Sequence, residues 1–190
     1  MKRLLITDTS VLLNLLATEC AEEILAASDC QFLVCKNVLD EALILRDRET
    51  LKVVPVDLTD LLAKNLLQVV DLETDEEFEL LADYSALMGK GGQGEAMCFA
   101  LSEGRDLPVA IDDERAVKRA RRRFPKIVSI TTPSMLRQWE SKSQIPPEKM
   151  KTILLRIQRW ANYYPGASHP DYDWWQATLA RSVSDLPPQA

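Results

Sequence analysis

Histidine is almost missing: His169 is the only one in 190 residues. That all but excludes a His-rich zinc site or a Ser-His-Asp triad. The four cysteines, Cys20, Cys30, Cys35 and Cys98, contain no C-x-x-C pair. Reduced, mostly buried thiols in a cytosolic protein are the simplest account of them. No apolar run reaches the roughly 18 residues that span a membrane. The apolar stretch from Leu4 is broken at Asp8 and Asn14, which does not read as a signal peptide. A cytoplasmic protein with no membrane partner is expected. Basic residues are outnumbered, 23 to 29, for a net charge of -6, so the chain is not a general coat for polyanions. Local basic patches remain open. There is no internal repeat or low-complexity segment. With 46% hydrophobic and 27% charged residues the composition is globular, and the length suits one ordinary domain with a sizeable core.

Short apolar runs alternate with helical spacings. Leu4, Leu5 and Ile6 read as a buried parallel strand. Asp8, Thr9 and Ser10 can cap a helix carrying Val11, Leu12, Leu15 and Leu16. A second strand is expected over 31–35, then a helix capped by Asn37 and running through Val38, Leu39, Ala42 and Leu43. A third strand at 66–70 precedes an acidic helix over 75–88. After a glycine-rich loop come a helix over 95–102, a strand over 107–111, a helix over 114–124 and a fifth strand over 126–130. This order predicts an α/β fold, a three-layer α/β/α sandwich around a central parallel sheet of about five strands. From Ser134 onward the chain holds all four tryptophans and three of the four tyrosines. Pro146-Pro147 marks the start of a helix expected to reach about residue 164. The expected organisation is a domain over 1–140, a helical aromatic-rich C-terminal extension over 141–181 packing on it, and a disordered tail over 182–190.

In an open parallel sheet, functional groups gather at the carboxyl ends of the strands. Asp8 follows the first strand, Asp112 and Asp113 follow the fourth, Glu41 lies one turn into the helix after the second, and Glu95 opens the helix beside the glycine loop. These acids are spread over about 100 residues of sequence, yet the topology brings them toward one cleft. Clustered carboxylates repel, and the physical use of such a cluster is to hold a hard cation. Mg²⁺ or Mn²⁺ suits oxygen ligands, and hydrolysis of a phosphodiester with a metal-activated water needs no histidine.

The segments LLITDTSVLLNLL, VLDEAL, GQGEAMCFAL and VAIDDERAVKRA together resemble the PIN domain across about residues 1–140. PIN proteins are metal-dependent nucleases, and many are VapC-like toxins of toxin–antitoxin pairs. The resemblance implies catalytic acids at Asp8, Glu41, Glu95 and Asp113, with Asp112 adjacent to the last. It implies metal ligation by Asp8, Glu95, Asp112 and Asp113, and support of Asp8 by Ser10. It further implies an endoribonuclease acting on RNA with Mg²⁺ or Mn²⁺, a small antitoxin as partner, and a homodimer. RNA over DNA rests on this resemblance alone. Glu95 stands where many members carry Asp, and the chain beyond 140 is longer than in the shortest members.

Plainer readings stand beside these. Asp8 and the Asp112-Asp113 pair can be helix caps, Glu95 can favour a helix N-terminus, and Glu41 can be solvated. Gly89, Gly91 and Gly94 spell G-x-G-x-x-G, but a dinucleotide fingerprint needs a preceding strand, and Leu80, Leu81, Tyr84, Leu87 and Met88 fall at helical spacing. Lys118, Arg119, Arg121, Arg122, Arg123 and Lys126 are either a rail for a nucleic-acid backbone or an exposed helix face. The C-terminal aromatics can stack on bases or form buried packing or a partner interface. A non-catalytic PIN-fold binding module is the competing function.

Overall fold

A computed structural model describes residues 2–40 and 43–181. The expected disordered tail and Glu41 lie outside them. The elements, in chain order, are β1 (Arg3–Thr7), α1 (Thr9–Ala17), α2 (Ala21–Ala27), β2 (Cys30–Cys35), α3 (Asn37–Asp40), β3 (Ile44–Arg46), β4 (Val53–Pro55), α4 (Thr59–Ala63) and β5 (Leu67–Val70). They continue with α5 (Asp75–Met88), α6 (Gln93–Arg105), β6 (Val109–Ala110), α7 (Glu114–Arg123), β7 (Ser129–Ile130), α8 (Thr132–Ser143), α9 (Pro147–Arg156), a π-helical turn (Ile157–Ala161) and α10 (Tyr172–Ala180).

Five parallel strands form the central sheet in the order β5-β2-β1-β6-β7. Phe32, Leu33, Val34 and Cys35 of β2 are all buried, as a strand covered on both faces requires. One group of helices, α1, α2 and α8, packs together, and α5, α6 and α7 form the other. The expected three-layer architecture holds. Several strands are shorter than their apolar runs: 107–111 contributes only Val109 and Ala110 to the ladder, and 126–130 only Ser129 and Ile130.

The largest departure follows β2. Where a helix running through Leu43 is expected, α3 is described over Asn37–Asp40, and Leu43 leads into an antiparallel hairpin of β3 and β4. The Leu43 carbonyl accepts from Val56 N at 2.9 Å, so the hairpin pairing takes the backbone that the helix would have used. The hairpin is anchored by buried Asp47, which receives Arg159 Nη2 at 2.5 Å from the π-helical turn. That turn replaces the expected last turns of α9, and the helix ends where Asn162 adopts φ 54°.

The C-terminal extension shares the core of the rest of the chain. Trp139, Met150, Ile153, Leu154, Ile157 and Trp175 are buried in the same apolar cluster as Leu5, Leu12 and Leu15. The expected boundary at 140 falls inside α8. Among the described residues, no helix is long and apolar enough to cross a membrane.

Candidate active site at the switch point of the sheet

The chain runs from β1 outward to β2 and β5, then returns to pair β6 on the other side of β1. The strand order therefore reverses between β1 and β6. Ligands of open α/β sheets bind outside the carboxyl ends of the strands at such a point. Asp8 leaves β1 there, and its N–H donates to Ala110 O of β6 at 3.0 Å. Asp112 and Asp113 leave β6 at the same edge.

Asp8 is 7% exposed and caps α1. Its Oδ2 accepts from Ser10 N at 3.0 Å and also from Ser10 Oγ, so Ser10 holds the carboxylate as expected. The other oxygen, Oδ1, is turned toward Gly94, where an added Cβ would lie 3.8 Å from it. Burial pushes the Asp8 carboxyl above its ordinary value; the hydrogen bonds from Ser10 oppose this, and the charge of Asp113 adds to it.

Glu95 reaches this edge because of the glycine loop. Gly89 and Gly91 take φ +80° and +88°, which favours glycine. At Gly92 a Cβ would stand 2.7 Å from Met88 Cβ. The loop reverses α5 into α6 and sets the first turn of α6 beside Asp8. It follows a helix, so it is not a dinucleotide fingerprint. Burial first, then the charges of Asp8 and Asp113, push the half-buried Glu95 carboxyl up.

The two neighbouring aspartates part company. Asp113 is exposed and caps α7, its Oδ1 accepting from Arg115 N at 2.7 Å and Ala116 N at 2.9 Å. Asp112 has both oxygens engaged by other elements. Oδ1 accepts from Thr132 N at 2.8 Å, and Oδ2 accepts from Asn14 Nδ2 at 2.8 Å and Thr132 Oγ1 at 2.5 Å. Burial raises the Asp112 carboxyl despite these bonds. Tyr163, beside it, is raised above the usual phenol range by burial and by the Asp112 charge. Asp112 thus ties β6 to α1, α8 and the C-terminal segment. Asn14, Thr132 and Tyr163 were not singled out by their types. The one available signal was Asn14 interrupting the apolar face of VLLNLL, where it is 2% exposed.

Electrostatics couples Asp8, Glu95 and Asp113, while Asp112 is committed elsewhere. Among the described residues no three His, Cys, Asp or Glu side chains are close enough to hold one metal ion. Asp8 and Glu95 offer hard oxygen donors of the kind a largely hydrated Mg²⁺ uses, with one or two carboxylates completed by waters and a substrate phosphate. Behind them, Cys98 of α6 lies 3.9 Å, Sγ to Sγ, from Cys35 at the end of β2. Contact with Cys35 and burial push the Cys98 thiol well above its usual range. All four cysteines are buried and free.

The basic cluster divides in the same way. Arg123 pairs with Asp83 at 2.8 Å and Glu103 at 3.1 Å, and Arg119 donates to Met88 O at 3.1 Å. Lys118 stands 3.9 Å from Glu114, and Arg121 donates to Ser129 Oγ at 3.2 Å. Arg122 and Lys126 are exposed, and no ion pair joins either to another described residue. Beneath these cations Ala116, Val117 and Ala120 seat α7 on the core. Comparison with protein-family models, with curated proteins and with solved structures finds no significant match, and the edge formed by Asp8, Glu95 and Asp113 is characterised by its own geometry.

Proposed function

We propose that the chain is a Mg²⁺- or Mn²⁺-dependent endoribonuclease whose catalytic edge is Asp8, Glu95 and Asp113. The observation that supports this is the placement of Asp8, Glu95 and Asp113 at the carboxyl edge of β1 and β6, where the charge of Asp113 reaches Asp8 and the charges of Asp8 and Asp113 reach Glu95. Asp8 Oδ1 and Glu95 would hold the cation, with Ser10 fixing the Asp8 carboxylate through its other oxygen. Bound there, a hard divalent cation would lower the pKa of an attacking water and offset charge on the phosphate. Asp113 commits Oδ1 to its cap and has Oδ2 left to orient a water. Exposed Arg122 and Lys126 supply sequence-independent attraction for the backbone. RNA as the substrate, an antitoxin partner and a second copy of the chain rest on the PIN resemblance.

Cleavage of a labelled single-stranded RNA tests this. Activity should vanish in EDTA and return with Mn²⁺ or Mg²⁺ but not Ca²⁺, which prefers more ligands at longer distances. Asp8→Asn, Glu95→Gln and Asp113→Asn should each lower the rate at least about tenfold while the fold is retained. EDTA-resistant cleavage by the pure protein would sink the mechanism. A second reading, a non-catalytic binding module, draws on the absence of a three-ligand cluster among the described residues. It predicts RNA binding that is indifferent to Mn²⁺, with no cleavage.

A further inference from the structure

A second cleft, of about 470 Å³, opens beside the acidic edge, within the range of small-ligand pockets. Its floor is apolar, from Ile111 and Val117, both buried. Lys118 and Arg121, three residues apart on α7 and therefore on one helix face, line it with cations. Ser168 adds an exposed hydroxyl at the rim, Ser129 accepts from Arg121, and Thr131 and Ser134 are held in the capping box of α8.

Two acids, Glu114 and Asp171, stand in the same wall as the two cations, and both are engaged. Asp171 is paired with Arg137 at 2.8 Å, and Glu114 is only loosely engaged with Lys118 at 3.9 Å. With Asp171 neutralised from outside the cleft by Arg137, Lys118 and Arg121 are the cations presented beside Ile111 and Val117. The far wall is fixed by His169, 6% exposed. Its Nδ1 accepts from Asp171 N at 3.0 Å, which leaves the proton on Nε2, 3.0 Å from Thr131 Oγ1.

This cleft is continuous with the edge described above. A neighbouring depression of about 380 Å³ holds Asp113, Arg115, Tyr163 and Tyr164, and the two share Glu114, Ser168 and His169. We propose that the Lys118–Arg121 cleft is a nucleotide subsite. It takes the nucleotide adjacent to the scissile bond of a single strand, its phosphate on Lys118 and Arg121 and its base over Ile111 and Val117. The ligand class rests on the nuclease reading; the cleft and its charge do not. The extension from Tyr163 to Asp171 then selects single strands, because only an unpaired base can turn in to the apolar floor.

The single histidine provides the probe. One His169 imidazole signal should be resolved by NMR in the full chain, with EDTA present so that no cleavage intervenes. Adding 5′-nucleoside monophosphates should shift it saturably, and a single-stranded RNA trimer should bind more tightly than the monomer. Inorganic phosphate alone should bind far more weakly. Arg121→Ala, and Ser168→Trp at the exposed rim, should each weaken binding about tenfold or more. An unmoved His169 signal, equal affinity for phosphate and nucleotide, or nucleotide affinity indifferent to both substitutions would overturn the subsite. A trimer no tighter than the monomer would break its link to the catalytic edge. Nucleotide binding without RNA cleavage in Mn²⁺ would remove the nuclease reading and leave the subsite standing. Cleavage with no His169 response would do the reverse.

Discussion

Buried Asp8 and half-buried Asp112 both have carboxyls raised by desolvation, yet their surroundings assign them opposite behaviour on substitution. A carboxyl raised in the folded state holds a proton that the unfolded chain has already released, so stability falls as pH rises through the ordinary value of 3.8. Asn is nearly as good a cap as Asp and keeps an acceptor for Ser10 N. The metal-free Asp8→Asn protein should therefore melt at or above the wild-type temperature near neutral pH. The difference should close as pH drops below about 4, and calorimetric melting over a pH series checks it. Asp112→Ala should instead destabilise by about 1–3 kcal/mol, because Asn14 Nδ2 and Thr132 N lose their acceptor inside the fold. Urea unfolding measures that loss. A smaller effect at Asp112 than at Asp8 would reverse the assignment of structural and functional acid.

Within elements, α7 gives the sharpest contrast. Arg122→Ala removes an exposed cation, so RNA affinity should fall and its salt dependence should become shallower by about 0.7 in the log–log slope for a single strand if one phosphate contact is lost. Arg123→Ala breaks pairs with Asp83 and Glu103 that join α7 to α5 and α6. It should lower the melting temperature and leave the salt slope unchanged. Binding isotherms at several salt concentrations separate the two. The sequence carried the run of cations in plain view but not their division, which depends on which acids α5 and α6 present. The same limit explains the hairpin. Val38, Leu39, Ala42 and Leu43 satisfy helical spacing locally, and the distant partner Val56 ties Leu43 into the hairpin instead. Where local spacing and tertiary packing agree, as in α5 with its Thr74–Glu77 capping box, the bounds were legible in full. Acids at strand ends were equally legible, since topology alone sends them to one edge. The turning away of Asp112 toward Asn14 and Thr132 was not, because those partners lie 98 and 20 residues distant in sequence.

For the molecule as a whole, the C-terminal extension is part of the core and a wall of both clefts. Trp175 is fully buried, with Tyr163 edge-on at 5.9 Å between ring centroids. Trp175→Ala should cost about 3–5 kcal/mol, a large share of the stability of an ordinary domain, as read by denaturant unfolding. A loss below about 1 kcal/mol would mean that the extension is a separable appendage. The central claim is that Asp8 and Glu95 hold a divalent cation at the switch point. Its most direct test is the Mn²⁺ dependence of melting temperature for wild type, Asp8→Asn and Glu95→Gln. Cation binding to the folded state alone should stabilise wild type by about 2.7 kcal/mol at a hundredfold excess over the dissociation constant. Both variants should lose most of that gain while remaining folded. Equal Mn²⁺ responses in all three proteins, or none in wild type, would contradict a metal centre at this edge.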